Sequence, residues 1–417
     1  MKLTVDNFAF IKHAEIDIDG ITVIAGNNNT GKSTVGKILF SMFHAFYDID
    51  EKIERARKNA ISDALKVVVS EVHGPFQRVA YPWKGYLRNG VFRTQKLEDV
   101  NWADFYGSII QDYPEFAKSA NLLKLKNTVN KILHWPEKKL LQEAVLSAFT
   151  SVFNGQINSL YLPATIANAD LMIKAKTISV AINNGNTCEC SMPIQIKNRV
   201  FYYSSPHIVD LLSLTGDTNS VMERKLWEAL YSYANDVTEE QKILERSMQK
   251  EKLQYIMQHL DSASQGRIAK EQGEYTINCA GMTAALKMKN LSAGLKAFVV
   301  IRMLVESGNL KDRDVLILDE PEIHLHPTWQ LKYAELIVLL QKEFNLSVVI
   351  TTHSNFFLDA IETYTRKYEV QDKLHLYLAE QKEDGVEMLD VTNNSEAIYS
   401  KMADAVDILD SERLAMD

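Results

Sequence analysis

The chain has 417 residues, of which 46% are hydrophobic and 24% are charged. These proportions are ordinary for a globular protein and exclude a mainly disordered or collagen-like chain, and the length predicts roughly two or three domains. Apolar runs are far shorter than the roughly 18 residues of a membrane span, and no signal-peptide core follows Met1. Three cysteines are too few for a disulfide framework. We therefore expect a cytoplasmic protein with reduced thiols and no membrane partner.

The net charge of −8 is concentrated near the C-terminus. Residues 380–417 hold eleven acidic and three basic residues, so the rest of the chain is electrically balanced. We interpret this segment as a solvated acidic helix, with docking of a basic partner as the alternative. A balanced body lacks the basic excess of a typical nucleic-acid-binding protein. A local cluster of lysines between residues 118 and 139 nevertheless leaves nucleic acid open as a partner.

The N-terminal third begins with strands and continues with helices. The predicted order is strands at 3–9, 14–18 and Ile21–Ala25, the glycine-rich loop Gly26–Ser33, and a helix over 34–46. Residues 47–150 are expected to be largely helical, with strand-like breaks at 76–81 and 90–93.

The middle of the chain changes to strand character and then back to helix. Strands are predicted at residues 160–162, 171–180, 200–203, 275–279 and 285–288. Asn183–Asn186 has turn residues, and residues 218–262 are expected to be helical. Their heptads do not persist, so no long coiled coil is encoded.

From residue 291 onward, helices and strands alternate. Helices are predicted at 293–307, 328–343, 354–366 and 394–409, and strands at 314–318, 346–351, 373–378 and 386–391. This alternation favours an α/β fold with a mostly parallel sheet, antiparallel strands beside it and a large, mainly helical insertion. The expected divisions are 1–46, 47–157, 158–217, 218–272 and 273–417.

The strongest motif is the loop Gly26–Ser33, which matches G-x-x-x-x-G-K-[ST] between a strand and a helix. Glycines let backbone N–H groups turn toward phosphates, and the helix N-terminus adds a favourable dipole. Lys32 is predicted to neutralise the β- and γ-phosphates of ATP, and Ser33 to bind Mg²⁺. The residues expected to surround the nucleotide are Gly26, Asn27, Asn28, Asn29, Thr30, Gly31, Lys32, Ser33 and Thr34.

Three further motifs follow in the C-terminal half. The apolar strand before Asp319 and Glu320 places two carboxylates at the sheet edge, where Asp319 would hold Mg²⁺ and Glu320 would polarise the attacking water. Ser292 and Gly294 begin a helix and can present N–H groups to an anion. His353 closes the next buried strand, from which it can reach the γ-phosphate.

These four motifs, in this order, resemble the head of an ABC-type ATPase of the SMC, RecF and OLD-like branch. Supporting details are Asn7-Phe8 in the first strand, the asparagine-rich loop Gly26–Ser33 and the run Asp319–Pro327. The acidic, histidine and proline residues of this last run look like those of bacterial anti-phage defence ATPases such as the Septu and PARIS subunits. The resemblance covers roughly residues 1–45 and 276–378.

The resemblance implies specific roles for residues on both sides of an ATP molecule. Gly31, Lys32 and Ser33 would bind phosphate and Mg²⁺, with Asp319 as the Walker B carboxylate and Glu320 as the general base.

It further implies that Ser292 and Gly294 form a signature that contacts the nucleotide of a second subunit, and that His353 is the switch histidine. Ala293 and Leu295 depart from the family pattern at this signature.

The sequence does not assign the glutamine loop or the adenine contact to a single residue. Gln195 and Gln156 are candidates for the glutamine loop, and Phe10 and Lys12 for the adenine contact. Glu322, His324 and His326 also suggest a metal site, but their spacing differs from H-E-x-x-H, and we favour an ordinary loop after the acidic strand.

The leading functional hypothesis is an ATP-hydrolysing switch in anti-phage defence. Two heads would pair head to tail through ATP, as a homodimer or higher oligomer, and control a separate nuclease or toxin. The alternative is a DNA-repair or chromosome-associated ATPase of the SMC/RecF kind. A transporter cassette is disfavoured by the long insertion, and a nuclease with an added Toprim domain by the 64 residues after His353, which contain no D-x-D pair.

Overall fold

The computed structural model describes most of the chain as two compact units. The described residues are 1–73, 96–112, 114, 120–162, 165–213, 218, 220–231, 256–261, 266–271, 274–279, 281 and 283–416. One unit comprises Met1–Tyr47 and Val145–Asp417, and the other comprises Asp48–Ala144. The five-part division expected from the sequence stays a prediction.

Fourteen strands are found in the described residues. They are β1 (Lys2–Phe8), β2 (Ile11–Asp17), β3 (Ile21–Ala25), β4 (Ala167–Ile173), β5 (Lys176–Asn183), β6 (Thr187–Ser191), β7 (Val200–Tyr203), β8 (Gly266–Glu271), β9 (Glu274–Cys279), β10 (Leu286–Lys287), β11 (Val315–Asp319), β12 (Ser347–Thr352), β13 (Leu374–Lys382) and β14 (Gly385–Asp390).

Helices cover this sheet or build the second unit. They are α1 (Lys32–Phe46), α2 (Ile49–His73), α3 (Trp102–Asp112), α4 (Ala120–Leu133), α5 (Glu137–Phe153), α6 (Val221–Tyr231), α7 (Ala293–Glu306), α8 (Pro327–Phe344), α9 (Asn355–Lys367) and α10 (Glu396–Met416). Within these described helices, none has the length and apolar character to span a membrane.

Eleven strands form one sheet in the order β6-β5-β4-β1-β2-β14-β13-β3-β12-β11-β7. From β13 to β7 every neighbouring pair is parallel, whereas β6, β5, β4, β1 and β2 pair in antiparallel fashion. A separate small sheet has the order β10-β9-β8. The predicted α/β fold, with a parallel region around the P-loop, added antiparallel strands and a mainly helical insertion, is confirmed.

Hydrophobic pattern explains why the central strands lie where they do. Every residue of β3 and β12 is buried, because helices cover both faces of a parallel sheet. Strand β5 alternates instead, with Ile178, Val180 and Ile182 buried, as expected for an antiparallel strand with one solvated face. The continuous apolar runs therefore mark the centre of the sheet and the alternating runs mark its antiparallel end.

Several sequence predictions about single elements are wrong. Residues 171–180 form two strands rather than one, because the chain turns at Lys174, which has a φ of 57°. A Lys-Ala turn lacks the Gly or Asn that would have signalled it. Residues 160–162 are a surface loop instead of a strand. The expected breaks at 76–81 and 90–93 lie outside the described residues, as does the part 232–255 of the helical stretch expected at 218–262.

The acidic C-terminal segment is partly built into the sheet. Strand β14 pairs with β13 on one side and with β2 on the other, and its Val386 and Met388 are buried. The start of α10 also packs on the fold, because Ile398 is buried and the Tyr399 hydroxyl donates to Glu362 at 2.6 Å. The segment is therefore not one solvated helix.

Gly20, in the turn between β2 and β3, offers a test of how tightly this sheet is built. It has a φ of +75°, and a Cβ there would overlap the Cβ and carbonyl oxygen of Lys373. We expect Gly20→Ala to lower stability by about 2–4 kcal/mol, since strain and overlap add. Gly155→Ala is the matched control, because φ is +82° with nothing within 4 Å. It should cost only about 1 kcal/mol; equal thermal shifts in the two variants would contradict the expectation.

Candidate functional site

Four parallel strands bring the predicted motifs to one edge of the sheet. Because β3, β12, β11 and β7 run in the same direction, their carboxyl ends meet there. In register, Asp319 lies opposite Thr351, and Thr352 lies opposite Ala25, the last residue before the P-loop. Residues from opposite ends of the chain therefore share one site.

The loop after β3 has the backbone that its glycines predict. Gly26 and Gly31 have φ values of 147° and 72°, and Asn29 has a φ of 63°. A Cβ on Gly26 would lie 2.9 Å from the carbonyl oxygen of Ala379, so a side chain has no room there. The Thr30 hydroxyl donates to the Asn27 carbonyl at 2.8 Å and fixes the loop from inside.

Lys32 occupies the inside of this loop. Its Nζ donates to the carbonyl oxygens of Gly26 at 3.0 Å and Asn27 at 2.7 Å, and only 4% of the residue is exposed. Burial lowers the pKa of this ammonium, while the nearby carboxylates, Glu320 first, oppose that shift. The Lys32 ammonium is thus held inside the loop by the carbonyl oxygens of Gly26 and Asn27.

Asp319 accepts three hydrogen bonds. Its Oδ1 accepts from the Ser33 hydroxyl at 2.8 Å and from the Thr351 hydroxyl at 2.5 Å, while its Oδ2 accepts from the Tyr202 hydroxyl at 2.7 Å. Burial, together with the charge of Asp319, raises the pKa of Tyr202 well above its usual value, so this phenol stays a donor. A hydroxyl and a carboxylate side by side are the oxygen ligands that Mg²⁺ prefers.

Glu320 stands between the lysine and the histidine. Its Oε1 lies 4.0 Å from Lys32 Nζ and 3.5 Å from His353 Nδ1. The backbone is left-handed, with a φ of 48°, and its N–H donates to the Thr351 carbonyl at 3.1 Å. A non-glycine residue in this conformation is uncommon and requires support from its surroundings. Both Glu320 and His353 remain partly exposed, so water can reach them.

Glu322 is a buried carboxylate behind this pair. Its Oε1 accepts from the Thr352 hydroxyl at 2.5 Å and from the His353 N–H at 3.4 Å. The residue is 2% exposed, and burial raises its pKa, although the Thr352 hydrogen bond opposes the rise. Glu322 therefore ties the loop after β11 to the end of β12.

Ser292 and Gly294 lie at the start of α7 and contact a different part of the chain. The exposed Ser292 accepts from the Leu295 N–H at 3.3 Å and caps the helix. A Cβ on Gly294 would lie 3.2 Å from the His324 carbonyl oxygen and 3.3 Å from the Trp329 ring, so this turn packs on the loop after β11.

One model of a known protein family matches part of the chain that builds this site. The model described as "AAA domain, putative AbiEii toxin, Type IV TA system" matches residues 176–359, which include β7, the α7 turn, β11 and β12. Over these residues the chain is similar to AAA-type ATPase domains. The match does not include the loop Gly26–Ser33, which follows β3, the parallel neighbour of β12.

Solved structures of SMC head domains are similar to the chain. A Smc head bound to the C-winged helix domain of ScpA is 12% identical with a TM-score of 0.48, covering 95% of this chain and 98% of that one. The SMC head domain from Thermotoga maritima is 13% identical with a TM-score of 0.41, covering 94% and 98%. A Smc head with an extended coiled coil, bound to the C-terminal domain of ScpA and derived from Pyrococcus furiosus, is 11% identical with a TM-score of 0.42, covering 99% and 98%.

The other predicted nucleotide contacts lie within the loop Gly26–Ser33 or directly after it. Asn27, Asn28 and Asn29 are exposed, whereas Thr30 and Thr34 are buried. Their roles toward a nucleotide stay predictions.

The two candidates for the adenine contact, Phe10 and Lys12, have different neighbours. The Phe10 Cβ lies 3.4 Å from where a Cβ of Gly31 would be, beside the P-loop. Lys12 is paired with Asp384 at 3.1 Å and Glu387 at 3.2 Å.

The structure does not support Gln195 as the glutamine loop. Its neighbour Ile196 pairs with Tyr47, at the far end of α1 from the P-loop. Gln156 lies between α5 and β4, where its backbone N–H donates to the Phe153 carbonyl oxygen. The segment that follows β7, at the sheet edge where Asp319 lies, contains Ser204 and Ser205 and no glutamine.

The three residues suggested as a metal site, Glu322, His324 and His326, contact different parts of the chain. Glu322 faces Thr352, and His326 caps α8 by accepting from the Thr328 N–H at 3.4 Å. The His324 ring lies 6.0 Å from the ring of His207. Among the residues that the structure describes, no group of three or more His, Cys, Asp or Glu side chains is arranged to hold a metal ion.

Two residues of the site were missed at the sequence level. Tyr202 lies in an ordinary apolar strand, and Thr351 precedes the histidine without a motif of its own. Only the strand order, which sets β7 and β12 on either side of β11, brings both hydroxyls to Asp319. The sequence carried no signal for Tyr202, since aromatic residues are common in buried strands.

Proposed function

We propose that this protein is a Mg²⁺-dependent ATPase switch that pairs head to tail through ATP and controls a partner effector in anti-phage defence. The observation that carries the proposal is the meeting of Lys32, Ser33, Asp319, Glu320 and His353 at one sheet edge. Phosphoryl transfer needs positioning and charge stabilisation more than covalent chemistry, and these side chains supply both.

Each residue has a role in this proposal. Lys32 exchanges the Gly26 and Asn27 carbonyls for the β- and γ-phosphates. Ser33 and Asp319 are the residues that would hold Mg²⁺, which neutralises phosphate charge when it is bound. Glu320 orients the attacking water and takes its proton. His353, 3.5 Å from Glu320, is placed to respond to the γ-phosphate.

The surroundings of the site support pairing with a second copy. Ser292 is exposed at the N-terminus of a 14-residue helix, a site suited to the phosphates of another subunit's ATP. Ile323 and Phe356 are 54% and 44% exposed, and each lies three residues beyond Glu320 or His353. Large apolar side chains left exposed beside a site favour an interface there.

The helical unit Asp48–Ala144 is the proposed binding region for a protein partner. None of the site residues above lies in it, and its Val67, Leu123 and Trp135 are exposed. The family description names a toxin of a toxin–antitoxin system, which is consistent with a defence role. The effector would be a separate nuclease or toxin bound through this unit.

The second candidate is an ATPase of the SMC/RecF kind that acts on DNA. It is favoured by exposed lysines on α4 and α5, namely Lys124, Lys126, Lys131, Lys138 and Lys139. DNA binding that weakens steeply with salt, together with DNA-stimulated hydrolysis, would favour this candidate over the first.

A mixing experiment tests the head-to-tail pairing. Lys32→Ala removes the P-loop cation, and Ser292→Asp keeps a good helix cap while adding a negative charge that repels phosphate. Each variant alone should be inactive. Mixed in equal amounts, half of the random dimers keep one intact composite site, so hydrolysis should recover to about a quarter of wild type.

Ser292→Asn is the matched control, because it caps the helix equally well without the charge. It should retain most of the activity. If the mixture stays inactive while both variants fold and associate, or if Ser292→Asp is fully active, head-to-tail pairing through this turn is wrong.

A further inference from the structure

Tyr202 is a buried side chain that none of the roles above uses. It lies in β7, one residue before the strand ends, and its hydroxyl donates to Asp319 Oδ2 at 2.7 Å. Only 3% of the residue is exposed. A phenol aimed at the carboxylate that would hold Mg²⁺ requires an explanation beyond packing.

The ring is fixed by its neighbours. Strand β7 pairs in parallel with β11, and Tyr202 lies opposite Ile317. A Cβ on Gly36 of α1 would lie 3.3 Å from the Tyr202 ring, and the Phe40 ring stands edge-on at 6.1 Å. Because residue 36 is a glycine, the ring fits between the helix and the sheet, and its hydroxyl has a set position.

The hydrogen bonds divide the two oxygens of Asp319. Ser33 and Thr351 donate to Oδ1, and Tyr202 donates to Oδ2. A carboxylate held on both oxygens cannot rotate freely about its Cβ–Cγ bond. When the Ser33 oxygen turns to a metal ion, Thr351 and Tyr202 still hold the carboxylate.

We propose that Tyr202 is a positioning residue that fixes the orientation of Asp319 for Mg²⁺ binding. The inference rests on the proposed function of this site. Groups that hydrogen-bond a metal ligand typically contribute a factor of about 10–100 to metal affinity.

The test is Tyr202→Phe, which removes the hydroxyl and keeps the ring. Binding of Mn²⁺, followed by electron paramagnetic resonance in the presence of a non-hydrolysable ATP analogue, should weaken about tenfold. The Mg²⁺ concentration for half-maximal hydrolysis should rise by a similar factor, while the KM for ATP at saturating Mg²⁺ stays close to wild type.

Tyr203→Phe is the matched control. Tyr203 is the adjacent buried tyrosine, and because side chains alternate along a strand it lies on the opposite face, in the core with Tyr333. It should leave Mn²⁺ binding unchanged. Asp319→Asn provides the reference for full loss of the metal ligand.

The outcomes separate the inference from the proposed function. Unchanged Mn²⁺ binding in Tyr202→Phe, or equal weakening in both tyrosine variants, would overturn the role of Tyr202. If the wild type binds Mn²⁺ with the analogue but hydrolyses no ATP, the ATPase proposal fails while the binding comparison still tests Tyr202.

Discussion

Glu320→Gln should abolish steady-state ATP hydrolysis while ATP still binds. The amide keeps the size of the side chain and tolerates the same left-handed backbone, but it cannot take a proton from the attacking water. Loss of a positioned general base typically slows a reaction by about 10²–10⁴-fold. Phosphate release under saturating Mg²⁺ and ATP measures the rate, and binding of a fluorescent ATP analogue measures affinity.

The same variant should trap the paired state. In the proposed head-to-tail pairing, ATP that is not hydrolysed keeps the two heads together, so the variant should elute as a dimer with ATP and as a smaller species without it. The proposed anti-phage role predicts in addition that cells carrying this variant with the neighbouring genes lose protection against phage, because the switch cannot cycle.

Glu369→Gln is the control for this substitution. Glu369 is exposed and has a φ of 57°, so the change is the same in chemistry and in backbone conformation, but it lies beyond the end of α9, far along the helix from His353. It should leave hydrolysis unchanged. Hydrolysis by Glu320→Gln within a few-fold of wild type would remove Glu320 from the mechanism.

Lys32→Ala should strongly weaken ATP binding itself. The ammonium is already buried inside the loop, so phosphates that enter gain a desolvated cation without reorganising the chain. Charged hydrogen bonds of this kind contribute about 1.5–3 kcal/mol each, and the dissociation constant for ATP should therefore rise roughly a hundredfold. Isothermal titration of Mg²⁺-ATP into the protein measures this change.

A thermal shift gives an independent measurement. ATP should raise the melting temperature of the wild type by mass action and raise that of Lys32→Ala much less at the same ATP concentration. Lys37→Ala, on the same helix, is the control and should keep the shift. An undiminished shift in Lys32→Ala would mean that ATP is held elsewhere.

The parts of the site that depend on short motifs were predictable. The loop Gly26–Ser33 and the strand that ends at Asp319 carry their geometry locally, because glycine backbone freedom and a continuous apolar run act over a few residues. The helices α8 and α9 were placed within one or two residues for the same reason, since their apolar periodicity is strong.

Contacts that depend on strand order were not predictable. Nothing within Val200–Tyr203 tells which strand it will join, and the hydrogen bond from Tyr202 exists only because β7 pairs with β11. The turn at Lys174 was missed because its residues have no turn preference. The strand β14 was predicted at 386–391, but its place between β13 and β2 was not, because the residues of a strand do not tell which strands it will join.

The order of strands has a consequence for synthesis on the ribosome. The strand that leads into the loop Gly26–Ser33 is made long before its two neighbours in the sheet, β12 and β13. Contacts so distant along the chain form late, because loop closure must precede them. We therefore expect the proposed nucleotide site to be complete only after translation of Leu374–Lys382, which closes the sheet around β3.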